Sequence, residues 1–344
     1  MLKRHVAIIG GGISGMEAAC IMAKSGHEIT IFDAGEKLGG HVAKWDLLFP
    51  NMRKGEEILA TLLDQLPQSI HILSNTIIQN IERGNGGYII HSALIDNIFA
   101  DAVLFAGGFD TFDATRKEEY GYGIYDNVIT SIELEDKIKE HHFTTSQGTL
   151  PKRVAMIHCV GSRDEKVCNN YCSRVCCVTA VKQAIEIKKA SPETEVFCFY
   201  MDLRMFGRHF EELYREAQEK YGIQFIRGRL SEASENKDKT IIVKAEDTLL
   251  GKPLKMTVDL MVLMVGMELS KSIVPLVEKM QLEVGMDRFI MPLDEQLYPN
   301  KTKQEGVFVT GTCTGPKNIP ETLNDARSAA LTIMNYFDQL SNKN

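Results

Sequence analysis

Residues 5–33 constrain the fold of this chain more than any other stretch. His5-Val-Ala-Ile-Ile9 is an apolar run of strand length, Gly10-Gly-Gly-Ile-Ser-Gly15 follows it, and residues 16–25 are Ala-rich and helical in pattern. Strand, G-x-G-x-x-G turn and helix in that order are the context a dinucleotide fingerprint requires. Gly10 permits the tight turn, Gly12 lets the backbone approach a pyrophosphate, and Gly15 allows close packing of helix on strand. The helix N-terminus beside Ile13 and Ser14 offers free N–H groups and a positive dipole end to the phosphates. The next strand, Glu28-Ile-Thr-Ile-Phe32, ends at Asp33-Ala34. The acid stands at the spacing of about 20 residues expected of a ribose-binding carboxylate.

Three further segments bear on which nucleotide is held. Gly35-Glu-Lys-Leu-Gly39-Gly40-His41 places a second glycine pair just past the acid, and resembles the long-loop form of FAD-binding reductases rather than simple NAD dehydrogenases. Asp101-Ala-Val-Leu-Phe-Ala106-Gly107-Gly108 reads as a buried strand ending in glycines, similar to the strand–Ala–x–Gly segment that closes an FAD site. Near the C-terminus, Gly306-Val-Phe-Val-Thr-Gly311-Thr312-Cys313 resembles the strand from which two-dinucleotide flavoproteins reach the ribityl chain and pyrophosphate. Thr312 stands where many of those enzymes have Asp, so a hydroxyl would do that work. A strand at 70–73 and a hairpin of 76–82 with 88–91 complete this part. The expected architecture is α/β, an FAD domain split by an insertion: 1–110 and 286–344 form the FAD domain, 111–150 a connector, and 151–285 an inserted Rossmann-like domain.

Within the connector, 129–139 is a charged amphipathic helix, and 126–130 is equally readable as a short strand. From Pro151 a second β/α series runs through strands at 154–159, 195–200, 223–227, 241–245, 254–258 and 260–265, with helices at 175–189 and 210–221. In a glutathione- or thioredoxin-reductase-like enzyme, the first strand of such a layer opens into another G-x-G-x-x-G for NADPH. Here the turn is Cys159-Val-Gly161-Ser-Arg163, with one glycine left. Five of the eight cysteines fall within residues 159–177.

At 344 residues the chain has room for two cores, and a net charge of −7 with pI near 5.8 gives no general basic field, so nucleic acid is not expected as a partner. No apolar run reaches the roughly 18 residues of a spanning helix. Gly10-Gly-Gly12 cuts the first apolar run short of a signal-peptide core. The expected location is the cytoplasm, where clustered cysteines mean metal or redox chemistry rather than structural disulfides. The stretch has no Cys-x-x-Cys pair of the kind a disulfide oxidoreductase uses. Cys168, Cys172 and Cys176 are spaced by four, compatible with part of a zinc knuckle or with a buried helical stripe. The buried stripe does not account for the adjacent Cys176-Cys177 or for Cys159 at a strand tip. Four thiolates from a strand tip and a helix N-terminus suit a [4Fe–4S] cluster, with zinc the alternative.

Cys159-Val-Gly-Ser-Arg-Asp together with Tyr171-Cys-Ser-Arg-Val-Cys-Cys177 closely resembles the heterodisulfide reductase A family and its relatives. Phe206-Gly-Arg-His-Phe-Glu-Glu-Leu-Tyr-Arg, Val265-Gly-Met and Gly311-Thr-Cys-Thr-Gly-Pro-Lys-Asn-Ile-Pro320 agree with it. The resemblance implies FAD and one [4Fe–4S] cluster in a homodimeric electron-transfer flavoprotein working with heterodisulfide reductase B- and C-like subunits in sulfur or disulfide metabolism. It puts the cluster ligands on Cys159, Cys172, Cys176 and Cys177, leaving Cys168 over. It puts the flavin against the glycine segments above, Gly161, and Ile319, Pro320 and Thr322 beyond Cys313. Lys182, five residues past Cys177 on the same helix, is a catalytic candidate to hydrogen-bond flavin N5, the competing reading being a solvated helix lysine. The chain lacks the ferredoxin-type Cys-x₂-Cys-x₂-Cys segments of longer relatives, so it resembles the short form found in sulfur-oxidation or quinone-interacting complexes. The competing expectation is an NAD(P)H-dependent flavin disulfide reductase.

Overall fold

A computed structural model describes residues 3–93 and 96–342. The chain forms two compact units: one of residues 1–44, 55–110 and 268–344, the other of 45–54 and 111–267. The first unit holds a five-stranded sheet in the order Val307–Val309, Ala102–Phe105, His5–Ile9, Glu28–Phe32, His71–Leu73. Every neighbouring pair in it is parallel. Parallel strands covered on both faces need side chains that are apolar in both directions. Val6, Ala7 and Ile8 and, beside them, Val103, Leu104 and Phe105 meet that need and are all fully buried. The helices Ile13–Lys24 and Ile319–Ser341 pack on each other and are tied by Arg327 Nε to Glu17 at 2.6 Å. A three-stranded antiparallel sheet of Ile78–Gly84, Gly87–Ser92 and Ile98–Ala100 completes the unit.

The second unit repeats the plan. Its five parallel strands run Val128–Thr130, Leu260–Val265, Arg153–Val160, Glu195–Tyr200, Gln224–Arg227. The helix Cys176–Ala190 packs on Ser131–Lys139 and Phe210–Glu219. A meander of Leu230–Glu235, Ile241–Asp247 and Lys252–Val258 follows. In both units the strand at the fingerprint position is central: from it the chain adds strands to one side, then returns to the other, where in the second unit Val128–Thr130 from earlier in the chain forms the edge. That reversal opens a crevice at the carboxyl end of the central strand, where such sheets bind ligands.

The unit boundaries differ from the sequence expectation in three places. Residues 111–150 are not a connector, because Val128–Thr130 pairs with Leu260–Val265 inside the second sheet and Thr130 caps the helix Ser131–Lys139 through a capping box with Glu133. The return to the first unit comes at 267/268 rather than 285/286, since the helix Val274–Lys279 lies on the strand Ile78–Gly84, with Lys279 Nζ donating to the Gln79 carbonyl at 2.7 Å. Residues 45–54 belong to the second unit, where Phe49 meets the Phe210 ring edge-on at 5.5 Å. The short polar strand Leu230–Glu235 carries little apolar alternation and went unforeseen.

Candidate cofactor cradle and thiol cluster

At the switch point of the first unit the three fingerprint glycines separate by cause. Gly10 has φ +113°, and a Cβ there would lie 2.4 Å from the Ala106 carbonyl oxygen. A Cβ on Gly15 would lie 2.0 Å from the Gly10 carbonyl oxygen, so this glycine is demanded by the packing of helix on strand. Gly12 is different. Its φ of −71° and ψ of −177° suit any residue, and a Cβ there would meet nothing within 4 Å. Neither strain nor protein contact asks for glycine at this position, and its absence of a side chain leaves the backbone open to an approaching group. Gly12 is also the N-cap of the helix Ile13–Lys24 and provides no side-chain cap, so the first-turn N–H groups face the same space.

The other glycine segments converge on this turn. Gly39 has φ +123°, bridges to Gly12, and donates its N–H to the Gly11 carbonyl at 2.9 Å. Gly40 lies so close that a Cβ on it would stand 3.3 Å from the Gly12 Cα. Asp33 links turn and loop: one carboxylate oxygen accepts from the Gly11 N–H at 2.6 Å, the other from the Gly35 N–H at 2.7 Å. Ala34 follows it on the surface. His41 stacks on Phe109 at 4.1 Å with Nε2 2.7 Å from the Phe109 carbonyl oxygen, and burial holds its pKa below the usual value. Gly107 packs on Ile273, while Gly108 has φ +72° and Thr312 Oγ1 as its nearest neighbour at 3.9 Å from a Cβ position.

From the C-terminal strand, Gly311 has φ +74° and would clash with Ser14 Oγ at 2.6 Å if it carried a Cβ. Its N–H donates to Asp325 at 2.7 Å, a partner that sequence reasoning missed because it lies a full turn inside the following helix. Cys313 is fully buried, donates to the Thr310 carbonyl at 3.0 Å, and burial pushes its pKa up to about 11. It is a packed thiol whose burial opposes its ionisation. Ile319 and Pro320 open the helix Ile319–Ser341 behind an Asn318–Glu321 capping box, and Thr322 is buried against Gly311.

The second unit puts its chemistry at the matching place. Its central strand ends in an irregular step between Ile157 and Val160, with Cys159 at φ +61°, and fifteen residues, 161–175, separate it from the helix Cys176–Ala190. That loop is held by buried polar groups. Ser162 and Ser173 hydroxyls lie 2.6 Å apart, the Met267 N–H donates to Ser173 Oγ at 2.9 Å, and Asn169 Nδ2 donates to the Gly161 carbonyl at 2.9 Å. Asp164, also buried, takes Lys117 Nζ and Arg229 Nη2, each at 2.6 Å. Gly161 owes its identity to Phe112, whose ring would stand 2.0 Å from a Cβ there; the flavin contact expected of Gly161 is not what requires this glycine.

The loop brings Cys159, Cys176 and Cys177 together. Cys176 lies within hydrogen-bonding reach of both Cys159 and Cys177, and sharing its one proton with them, together with burial, raises its own pKa well above the usual value. Contact with Cys176 lowers Cys177 to about 4, with His158 helping. Contact with Cys176 likewise lowers Cys159 to about 7. His158 is buried and neither ring nitrogen has a hydrogen bond of good geometry, yet the sulfurs of Cys177 and Cys198 favour its charged form over the opposition of burial. Cys172 is half-buried and accepts the Arg174 N–H at 3.3 Å; Arg163 is near enough to act on both Cys159 and Cys172. Cys168 is exposed, at φ +58°. Among the described residues no group of three or more His, Cys, Asp or Glu stands in a ready-made metal geometry.

Lys182 requires a correction. Its ammonium lies 2.9 and 2.7 Å from the two oxygens of Glu135 and 2.9 Å from Glu186, all three side chains being buried. An ammonium has three donors, and these contacts take them all. Gln183 adds a bond to Glu135 at 2.8 Å. The carboxylates were not foreseen, although the four-residue spacing of Lys182 and Glu186 on one helix was a signal for one of them.

A glycine-lined cradle at one switch point, and a thiol cluster at the corresponding point of a second sheet of the same plan, define an oxidoreductase fold of the two-dinucleotide-binding type. The chain belongs to the pyridine nucleotide-disulphide oxidoreductase family, whose model matches residues 4–330. It is 44% identical over 244 residues to the A component of the H2/formate:CoB-CoM heterodisulfide,ferredoxin reductase of Methanococcus maripaludis, covering 69% of this chain and 37% of that one. It is 46% identical over 238 residues to the iron-sulfur A component of the CoB–CoM heterodisulfide reductase of Methanocaldococcus jannaschii, covering 67% and 36%. The chain thus spans little more than a third of the length of these relatives. Among solved structures, thioredoxin reductase of T. acidophilum superposes with a TM-score of 0.68 at 19% identity, over 98% of this chain and 100% of that one. The bacillithiol disulfide reductase of Staphylococcus aureus gives 0.64 at 13%, over the whole of both chains. These two likenesses show the fold, which is the α/β arrangement expected from the sequence. No helix among the described residues is long and apolar enough to cross a membrane.

Proposed function

We propose that the chain is the FAD- and [4Fe–4S]-carrying electron-transfer subunit of a heterodisulfide reductase-like complex. In this reading it acts in the cytoplasm as a homodimer with B- and C-like partner subunits, in sulfur or disulfide metabolism. The observation that carries the reading is the placement of Cys159, Cys176 and Cys177 at the switch point of the second sheet, where a pyridine nucleotide would otherwise be held. The relatives named as A components of heterodisulfide reductases support it.

The residues of the first cradle fit a dinucleotide: Gly12 leaves its backbone open to it, and uncapped N–H groups at Ile13 and Ser14 favour its phosphates. Asp33 holds the fingerprint turn and the glycine loop in register. By residue type the second unit suits an iron–sulfur cluster, with three sulfurs gathered about Cys176 and Cys172 on the preceding loop, although the four do not stand as a metal-binding group. When bound, FAD supplies two-electron exchange and the cluster single-electron exchange. Contact with Cys176 holds the Cys159 and Cys177 thiols below their usual range, and the N-terminus of the helix Cys176–Ala190 favours negative charge there. With one glycine left in the second turn, and that one filled by Phe112, a hydride donor has no second fingerprint to occupy.

Anaerobic titration with dithionite, followed by absorbance and electron paramagnetic resonance, tests the reading. Flavin bleaching accompanied by the signal of a reduced cluster is expected. Stoichiometric reduction by NADPH with no cluster signal contradicts it.

A further inference from the structure

Residues 201–209 leave the end of the strand Glu195–Tyr200 as a segment that belongs to no sheet, bent at 201–202 and turning at 207–209. Its side chains alternate. Met201, Leu203 and Met205 pack on the core that contains Cys176 and Cys177, while Asp202, Arg204, Phe206 and Arg208 are exposed. The segment is also bonded to the thiol cluster, through Cys177 Sγ to the Asp202 carbonyl at 3.8 Å and through the Arg204 backbone to Cys177. Arginines from the neighbouring loops close around it. Arg163 and Arg227 both reach Asp202, at 2.8 and 3.3 Å, and neutralise it. The Arg174 guanidinium stands 5.7 Å from the centre of the Phe206 ring, which is 69% exposed. Arg204 and Arg208 have no carboxylate partner among the described residues. Counting Glu211 and Glu212 on the next helix, the balance of this lip is still positive, in a chain of net charge −7.

A local positive lip on a negative chain is selective by sign. An exposed aromatic ringed by arginines over half-buried methionine and leucine has the composition of a protein interface core rather than of a polyphosphate track. We propose that the lip formed by Arg204, Phe206 and Arg208, with Arg163 and Arg174 beside it, docks an acidic protein domain directly over the thiol cluster. The proposal rests on the electron-transfer reading only for its purpose; the surface itself is independent of cofactor content.

The test uses the whole chain and an oxidised plant-type [2Fe–2S] ferredoxin as an acidic probe, with binding measured by calorimetry at low and high salt. Arg204→Glu with Arg208→Glu should weaken binding at least tenfold and flatten its salt dependence. Phe206→Ala should weaken it severalfold at both salts. Lys252→Glu with Lys255→Glu, which changes net charge equally on the meander, should leave it intact. Equal loss in the two charge-reversed variants, or unchanged binding by a folded Arg204/Arg208 variant, overturns the proposal. So does loss of heparin binding without loss of ferredoxin binding. Iron and flavin are assayed on the same samples: binding through the lip by a chain without iron keeps this proposal and removes the functional reading, and the reverse pattern does the opposite.

Discussion

Lys182 and Glu135 form a buried ion pair in which the ammonium touches both carboxylate oxygens, at 2.9 and 2.7 Å. Removing one partner of such a pair leaves uncompensated charge, which costs about 3–5 kcal/mol. Lys182→Met is therefore expected to lower the unfolding midpoint in urea sharply, with Glu135 and Glu186 left facing each other. A variant of unchanged stability and shifted flavin potential would return Lys182 to the flavin.

The third member of that cluster gives stability a pH dependence. Burial raises the Glu186 carboxyl from 4.5 to about 7; Lys182 pulls it the other way and Glu135 adds to the rise. The folded chain thus keeps this proton up to about pH 7, whereas the unfolded chain releases it near 4.5. Between those values the folded state binds more protons, so this group's contribution to stability falls as pH rises. Glu186→Gln has no such loss. Relative to the parent it should gain on the order of 1–3 kcal/mol between pH 5 and pH 8, read from urea unfolding at both. A difference that stays flat with pH contradicts the assignment.

Gly12 and Gly15 should respond in opposite ways. Gly15→Ala drives a Cβ against the Gly10 carbonyl and is expected to destabilise by about 1–3 kcal/mol. Gly12→Ala enters open space, so its cost to the fold should stay within about 1 kcal/mol, that of a poorer helix cap. Its flavin content should nevertheless collapse, because the methyl occupies the space kept for the pyrophosphate. Thermal unfolding and flavin absorbance of the two purified variants separate these effects.

What the sequence made legible follows from range. The fingerprint glycines and the apolar strands are local patterns, and the structure forms strand, turn and helix in that order; Asp33 closes its strand, with its carboxylate on the Gly11 and Gly35 N–H groups. The helix begins at Ile13 rather than at 16 because Gly12 already serves as its N-cap. The thiols of Cys159, Cys176 and Cys177 were recognisable as a group because the strand tip and helix start that bring them together are both readable. The roles of Lys182, Asp325 and Gly161 were not, since each is set by a partner from a distant element: Glu135, the Gly311 N–H and Phe112. Residues 45–54 were misplaced for the same reason, their anchor being Phe210.

In the proposed function the first unit's cradle holds FAD and the thiols of the second unit hold iron and sulfide. Anaerobic purification followed by assay of flavin, iron, sulfide and zinc on one sample tests it most directly. One FAD and about four iron atoms with matching sulfide per chain are expected, the iron lost in Cys159→Ser and Cys177→Ser and kept in Cys168→Ser. Stoichiometric zinc without iron contradicts it.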